Sequence, residues 1–271
     1  NNTTANYNVG IGFYAGYNNQ TGYDNIFLGN WSGYYNSTGK NNIIMGYLAG
    51  VYNNASYNIF IGDQSGFNNT NGGFTGNQGA YNTFLGYNTG LNNRTGFNNV
   101  FMGYQSGLNN QTGYNNTYLG YRSGRSAAGS SAYNNVFLGI DGGYNLSSGH
   151  DNIGIGNLAG NSLTSGSYNV LIGPEAGEKV QAANYNTMIG YFAGTNTTQG
   201  YNTMIGYHAG YTNTAYYNQV FIGYKAGYAS NGGHNNTYIG SESAYNNAVG
   251  SENVFVGIGT GRANQGSNNV F

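Results

Sequence analysis

The chain has no cysteine and a single proline in 271 residues, and only 6% of its residues are charged, for a net charge of −1. Without cysteine there are no disulfides and no thiolate metal sites, and the redox compartment stays open. Seven Lys and Arg residues in all argue against nucleic acid, whose binding needs clustered cations to displace counterions. No apolar run approaches the roughly 18 residues of a membrane span, so no membrane insertion is expected within this segment. No secretory leader is visible and the first residue is Asn, which reads as a processed product or an excised segment. Helix-forming runs of Ala, Leu, Glu and Lys are also missing, and Gly and Asn are frequent, which disfavours helix.

What is present is a repeat. The stretch Asn99–Gly107, Asn-Val-Phe-Met-Gly-Tyr-Gln-Ser-Gly, returns along the chain, for example as Asn25-Ile-Phe-Leu-Gly29, Asn135-Val-Phe-Leu-Gly139 and Asn186-Thr-Met-Ile-Gly190. The glycine closing the half-unit stands at 12, 29, 46, 62, 86, 103, 120, 139, 156, 173, 190, 206, 223, 240 and 257. Most steps are 16 or 17 residues. A short period held over a whole chain marks a solenoid, whose repeats bury apolar surface only against their neighbours. The 49 glycines lack the every-third spacing of collagen, and regular Val, Ile, Leu and aromatic positions argue against disorder. The expected fold is all-β: a parallel β-solenoid of about fifteen coils, rising roughly 4.8 Å each, in one continuous array over 1–271. Loop insertions are expected near 68–79 and 125–132, and segment 174–183 keeps the period but loses the Asn/Thr turn. Neither end looks finished.

Positions are counted here from the closing glycine. Positions −3 and −1 are aliphatic or Thr, as in Ile26/Leu28, Val100/Met102 and Val254/Val256. Side chains two apart on a strand share a face, so this pair is expected to point into the coil. Position −2 would then face outward as a stripe: Phe27, Phe60, Phe84, Phe101, Tyr118, Phe137, Phe221, Tyr238 and Phe255, with Ile44, Leu171, Met188 and Met204 between. Monomers do not normally expose so much apolar surface, and a cover from other copies of the chain is expected.

Position −4 is Asn at Asn8, Asn25, Asn42, Asn58, Asn82, Asn99, Asn116, Asn135, Asn152, Asn169, Asn186, Asn202, Asn236 and Asn253, with Gln219 the exception. Stacked identical amides hydrogen-bond along a parallel stack, so these form an expected ladder. After the corner a small residue precedes Gly, as in Ala49-Gly50 and Ser106-Gly107, and suits a thin interior. Turns such as Asn92-Asn-Arg-Thr-Gly96 follow. They carry sequons at Asn19, Asn36, Asn93, Asn110, Asn145 and Asn196, glycosylation sites if the source modifies its surface proteins.

The order Asn-x-[Val/Ile/Thr]-x-[Ile/Leu]-Gly-x-x-[Ala/Ser]-Gly, held from Asn8 to Phe271, resembles the head repeats of trimeric autotransporter adhesins. It is also similar to repeats of phage and large-virus tail-fibre proteins. The resemblance implies a left-handed parallel β-roll with two short strands per coil and three chains side by side. It also implies a cell- or virion-surface location and attachment to a host or matrix.

Chemistry is sparse. His150, His208 and His234 lie in different coils, and His150 and His234 take the offset of Tyr23, Phe97, Tyr114 and Tyr133, as stand-ins for a ladder aromatic. The eight acids show no working pair, nor the regular Asp of calcium-binding repeats. Gly257-Ile-Gly-Thr-Gly261 is one more corner rather than a nucleotide fingerprint, and Asn41 stands where a phosphate loop after Gly39-Lys40 needs Ser or Thr. No enzyme activity and no cofactor are expected. Ice binding would want a regular Thr lattice, whereas Thr83, Thr117, Thr187, Thr203 and Thr237 are irregular and assigned inward. The 29 tyrosines, many of them after the two glycines, suit either packing or sugar rings, with packing favoured. The reading is a non-enzymatic extracellular fibre or adhesin-head segment that self-associates, as a trimer, and attaches to a host, matrix or glycan. The alternatives are an extracellular filament or sheath joined end to end, and a phage or virus tail-fibre shaft.

Overall fold

The structure is a computed structural model that describes residues 6–71, 78–126, 129–213, 217–247 and 249–271. These fall into two compact units, Asn1–Leu138 and Gly139–Phe271. The first holds β1 (Val9–Ile11), β2 (Ile26–Leu28), β3 (Ile43–Met45), β4 (Ile59–Ile61), β5 (Thr83–Leu85), β6 (Val100–Met102), β7 (Thr117–Leu119) and β8 (Val136–Leu138). The second holds β9 (Ile153–Ile155), β10 (Val170–Ile172), β11 (Thr187–Ile189), β12 (Thr203–Ile205), β13 (Val220–Ile222), β14 (Thr237–Ile239) and β15 (Val254–Val256). Within each unit every strand pairs in parallel with the next in sequence, and equivalent positions stand opposite each other, as in Phe84↔Phe101 and Leu171↔Met188. No helix occurs among the described residues. The chain is a parallel β-solenoid, with one three-residue strand per coil.

The rest of each coil is bonded to its neighbours as well. Gly33 N–H donates to Ala49 O at 2.9 Å and Tyr35 N–H to Val51 O at 2.8 Å, toward the following coil. Gly46 N–H donates back to Leu28 O at 2.8 Å and Leu48 N–H to Asn30 O at 3.0 Å. Position +2, such as Leu48 (φ 54), and position −5, such as Asn41 (φ 55), are left-handed, and even Trp31 (φ 62) and Phe192 (φ 56) adopt this shape. Bulky residues rarely do so. Here their amides point to the preceding coil, and the stacked neighbours fix the backbone.

The interior reverses the expected faces. Phe27, Phe60, Phe84, Phe101, Tyr118, Phe137, Phe221, Tyr238 and Phe255 are all at most 2% exposed within one chain, as are Ile44, Leu171, Met188 and Met204. The stripe assigned to a cover of sister chains is therefore the solenoid's own core. Its rings stack at the strand spacing: Phe84–Phe101 and Phe101–Tyr118 centroids are each 4.9 Å apart and nearly parallel. The aliphatic pair at −3 and −1 lies outside, with Ile26 40% and Leu28 36% exposed. The five threonines assigned inward belong to this exterior pair and are half-buried.

The reason lies across the coil. Position +4 is glycine in every coil but that of Ala244 (φ 53), and where position −2 is aromatic, as at Gly107 (φ +59), it runs against the ring, where a Cβ would collide with it. A glycine beside a small buried residue, as in Ser106-Gly107, leaves room on one wall for one large planar group from the other. Position +7 is apolar and buried in three coils, at Leu146, Leu163 and Val180, where position −2 is Phe137, Gly154 and Leu171, instead of the Asn of most other coils.

Of the two insertions, residues 72–77 and 127–128 lie outside the described residues. On either side of the first, Thr70 N–H donates to Arg94 O at 2.7 Å and Gly79 N–H to Thr95 O at 3.1 Å. Near the second, Asn110 and Ser130 form a parallel bridge.

Candidate interaction surfaces and internal ladders

The asparagine ladder runs through both units. Asn99 donates its N–H and Nδ2 to Asn82 Oδ1 at 3.0 and 3.1 Å and a second Nδ2 hydrogen to Gly113 O at 2.9 Å. Its own Oδ1 accepts N–H and Nδ2 of Asn116 at 3.0 and 3.2 Å. Every polar atom of the buried amide is thus used, so its burial carries no desolvation penalty of an unpaired group. The pattern recurs in the second unit at Asn169 and Asn186, and Asn269 extends it to Asn253 Oδ1 at 2.9 Å. Gln219 keeps its N–H bond to Asn202 Oδ1 at 3.1 Å, but its longer arm leaves Oε1 buried with no partner.

A second ladder, not anticipated, occupies position +7. Asn53, Asn69, Asn93 and Asn110 each donate Nδ2 to the Oδ1 of the preceding member, Asn36 through Asn93, at 2.6–3.2 Å. Asn19, Asn36, Asn93 and Asn110 also donate to the glycine carbonyl three residues on. Four of the six sequons, Asn19, Asn36, Asn93 and Asn110, are therefore internal and inaccessible to glycan transfer in the folded chain. Asn145 and Asn196 are half-buried, their Nδ2 bonded to Asn161 O at 3.1 Å and Tyr211 O at 2.8 Å.

Three kinds of row face outward. The first is the aliphatic pair of each strand. The second is the tyrosine that follows the corner in seven coils: Tyr87, Tyr104 and Tyr121 stack at 5.6 and 5.2 Å, and Tyr191, Tyr207 and Tyr224 at 5.6 and 5.4 Å. The third is an aromatic ribbon before the ladder Asn, supplied from position −6 (Phe97, Tyr114, Tyr133) or from −5 (Tyr168, Tyr185, Tyr201). The histidines join it as expected, His234 stacked on Tyr217 at 5.7 Å and His150 edge-on to Tyr168 at 5.0 Å. In these stacks the ring faces lie against one another, so packing between coils accounts for the rows.

Charged groups are dispersed. Lys40 lies 5.3 Å from the Tyr23 ring, and its pKa is raised chiefly by the Tyr23 hydroxyl. Lys225 is likewise raised, chiefly by a hydrogen bond with Tyr224. His208 sits between Tyr207 and Tyr211, 4.1 and 4.9 Å away, and burial followed by the Lys225 charge holds its pKa below the ordinary value. Burial raises Glu175, with Glu178 adding to the effect. Inside, burial raises the Tyr118 phenol and pushes Tyr238 up to about 12. Among the described residues no three His, Asp or Glu side chains gather to hold a metal. A concavity lined by Tyr52, Asn68, Thr70, Asn92, Arg94, Thr95 and Gln111 has one charged side chain.

The fold defines the class, a parallel β-solenoid of stacked asparagine-laddered coils. Comparison with protein-family models, with curated proteins and with solved structures gives no match.

Proposed function

We propose that this chain is a non-enzymatic extracellular scaffold, a fibre or adhesin-head segment that attaches to a host or matrix surface. The observation that supports this reading is repetition of the exterior: within each unit the aliphatic pair recurs coil after coil in register, and the tyrosines after the corner stack over three successive coils, at Tyr87, Tyr104 and Tyr121 and at Tyr191, Tyr207 and Tyr224. Identical patches at a fixed spacing let weak contacts add, because each later contact forms at high effective concentration. The resemblance of the repeat to adhesin heads and tail fibres supplies the location. Dispersed charge fits a scaffold better than a catalyst, which needs convergent acid and base groups.

The experiment is adhesion of chain-coated beads to cultured cells and to immobilised collagen, fibronectin and chitin, with arrays of four, seven and fourteen coils. Bead retention that climbs steeply with coil number on at least one surface is expected. Retention equal to that of uncoated beads on every surface sinks the attachment reading and favours the filament or sheath, for which electron microscopy would show continuous axial assemblies.

A further inference from the structure

We propose that the concavity beside Arg94 in the first unit is a binding site for an acidic sugar, whose carboxylate or sulfate the Arg94 guanidinium holds. It specifies the attachment reading above, on which its biological role rests.

The turn of the coil builds the site. Asn93 at position +7 is buried in the second ladder, and its neighbours Asn92 and Arg94 face outward. Along position +6 the residue changes from Tyr35 and Tyr52 to Asn68, Asn92 and Asn109, and along +8 stand Thr70, Arg94 and Gln111. A concavity of about 710 Å³ lies where these rows meet, within the size range of small-ligand sites.

Bonds between coils hold its lining in place. Asn68 donates Nδ2 to Asn92 Oδ1 and Asn92 donates Nδ2 to Asn109 Oδ1, both at 2.8 Å, and each keeps a second Nδ2 hydrogen. Thr70 donates its N–H and Oγ1–H to Arg94 O at 2.7 and 3.1 Å, and Arg94 N–H donates to Gln111 O at 3.0 Å. The side chains of Arg94, Thr95 and Gln111 make no hydrogen bond or ion pair among the described residues, so they are free to meet a ligand.

The chemistry of the lining selects the ligand. A guanidinium is a planar fork that grips an oxyanion through two N–H groups. Amides and hydroxyls supply both donors and acceptors, as a ring of hydroxyls requires, and Tyr52 adds an apolar wall. The parallel stack of Tyr35 and Tyr52, 5.1 Å apart, ends there, because Phe67 meets Tyr52 edge-on at 5.4 Å. A peptide is usually held through apolar side-chain pockets, and among the described residues this lining has no aliphatic side chain. The charge of the unit agrees. It carries four Lys or Arg against two Asp, whereas the second unit carries three against six Asp or Glu. An anion therefore meets a favourable field in the first unit.

Isothermal titration of the intact chain tests this with four probes of matched length: the tetrasaccharides of hyaluronan and of chondroitin sulfate, neutral chitotetraose, and tetraglutamate. At low salt the acidic sugars should bind about tenfold tighter than chitotetraose or tetraglutamate, and added NaCl should shrink the difference. Binding of both acidic sugars assigns the site to the carboxylate, and of chondroitin sulfate alone to the sulfate. Arg94→Gln should abolish the preference with an unchanged circular-dichroism spectrum. Arg125→Gln removes the same charge from the same unit outside the concavity, and should keep the preference within about twofold. Equal binding of acidic and neutral sugars, equal loss in the two variants, or tetraglutamate bound as tightly as the acidic sugars overturns the inference. Beads that still adhere after such a result leave the attachment reading standing; tetrasaccharides bound as expected by a chain whose beads adhere nowhere remove that reading and keep the site.

Discussion

Gly107 runs against the Phe101 ring so closely that a Cβ on the glycine would overlap ring carbons Cδ2 and Cε2, and its φ of +59° is one that other residues adopt at a cost. Gly107→Ala therefore meets two penalties, left-handed strain of about 1–2 kcal/mol and displacement of a packed ring of about 1–3 kcal/mol. Gly259 has a similar φ of +66° with nothing within 4 Å, so Gly259→Ala should show the strain alone. Urea unfolding should rank the two in that order; equal midpoint shifts would mean the ring does not confine the glycine.

Among the described residues of the position −4 ladder, Gln219 is the member with a buried acceptor left unpaired. Shortening it to the side chain used by the other coils, Gln219→Asn, should restore the stacked pattern and stabilise by about 1 kcal/mol, the lower range for an orphaned polar group. A thermal midpoint that falls would show that the arm length is not what breaks the ladder.

Tyr238 is buried and its phenol is pushed up to about 12 from an ordinary value of 10.0. Below pH 10 both the folded and unfolded states hold the proton, so this group leaves stability unchanged. Between about pH 10 and 12 the unfolded chain releases its proton while the folded chain keeps it, so stability falls across that window, by roughly 2–3 kcal/mol for a shift of this size. Tyr118 acts in the same direction. Phenolate absorbance should rise in two phases, a small late fraction coinciding with loss of circular dichroism. In Tyr238→Phe that late fraction should shrink and alkaline unfolding should move to higher pH.

The internal sequons make a mass-spectrometric prediction. Secreted from a glycosylating host, the correctly folded chain should carry no glycan at Asn36, Asn93 or Asn110, which are fully buried in the second ladder. Occupied Asn93 in a protein with native circular dichroism would contradict this placement. Asn93→Ala should cost about 1–3 kcal/mol, because the amides of Asn69 and Asn110 lose partners inside.

Sequence alone determined the period, the parallel stacking and the ladder at position −4, because each rests on chemistry recurring at a fixed offset. Asn99 and Asn116 must stand above one another once the coils are stacked. It did not determine which side of the strand is inside. Val100, Phe101 and Met102 are all apolar, so alternation carries no sign, and nothing local distinguishes Phe101 as core from Val100 as surface. The tertiary structure decided this through the opposite wall, where Gly107 gives up a side chain and leaves a slot that a ring fills. One trace of that decision was in the chain, the recurrent glycine at +4. The second ladder stayed hidden because Asn92 and Asn93 are chemically the same residue. Only the path of the backbone turns Asn93 inward and Asn92 toward solvent.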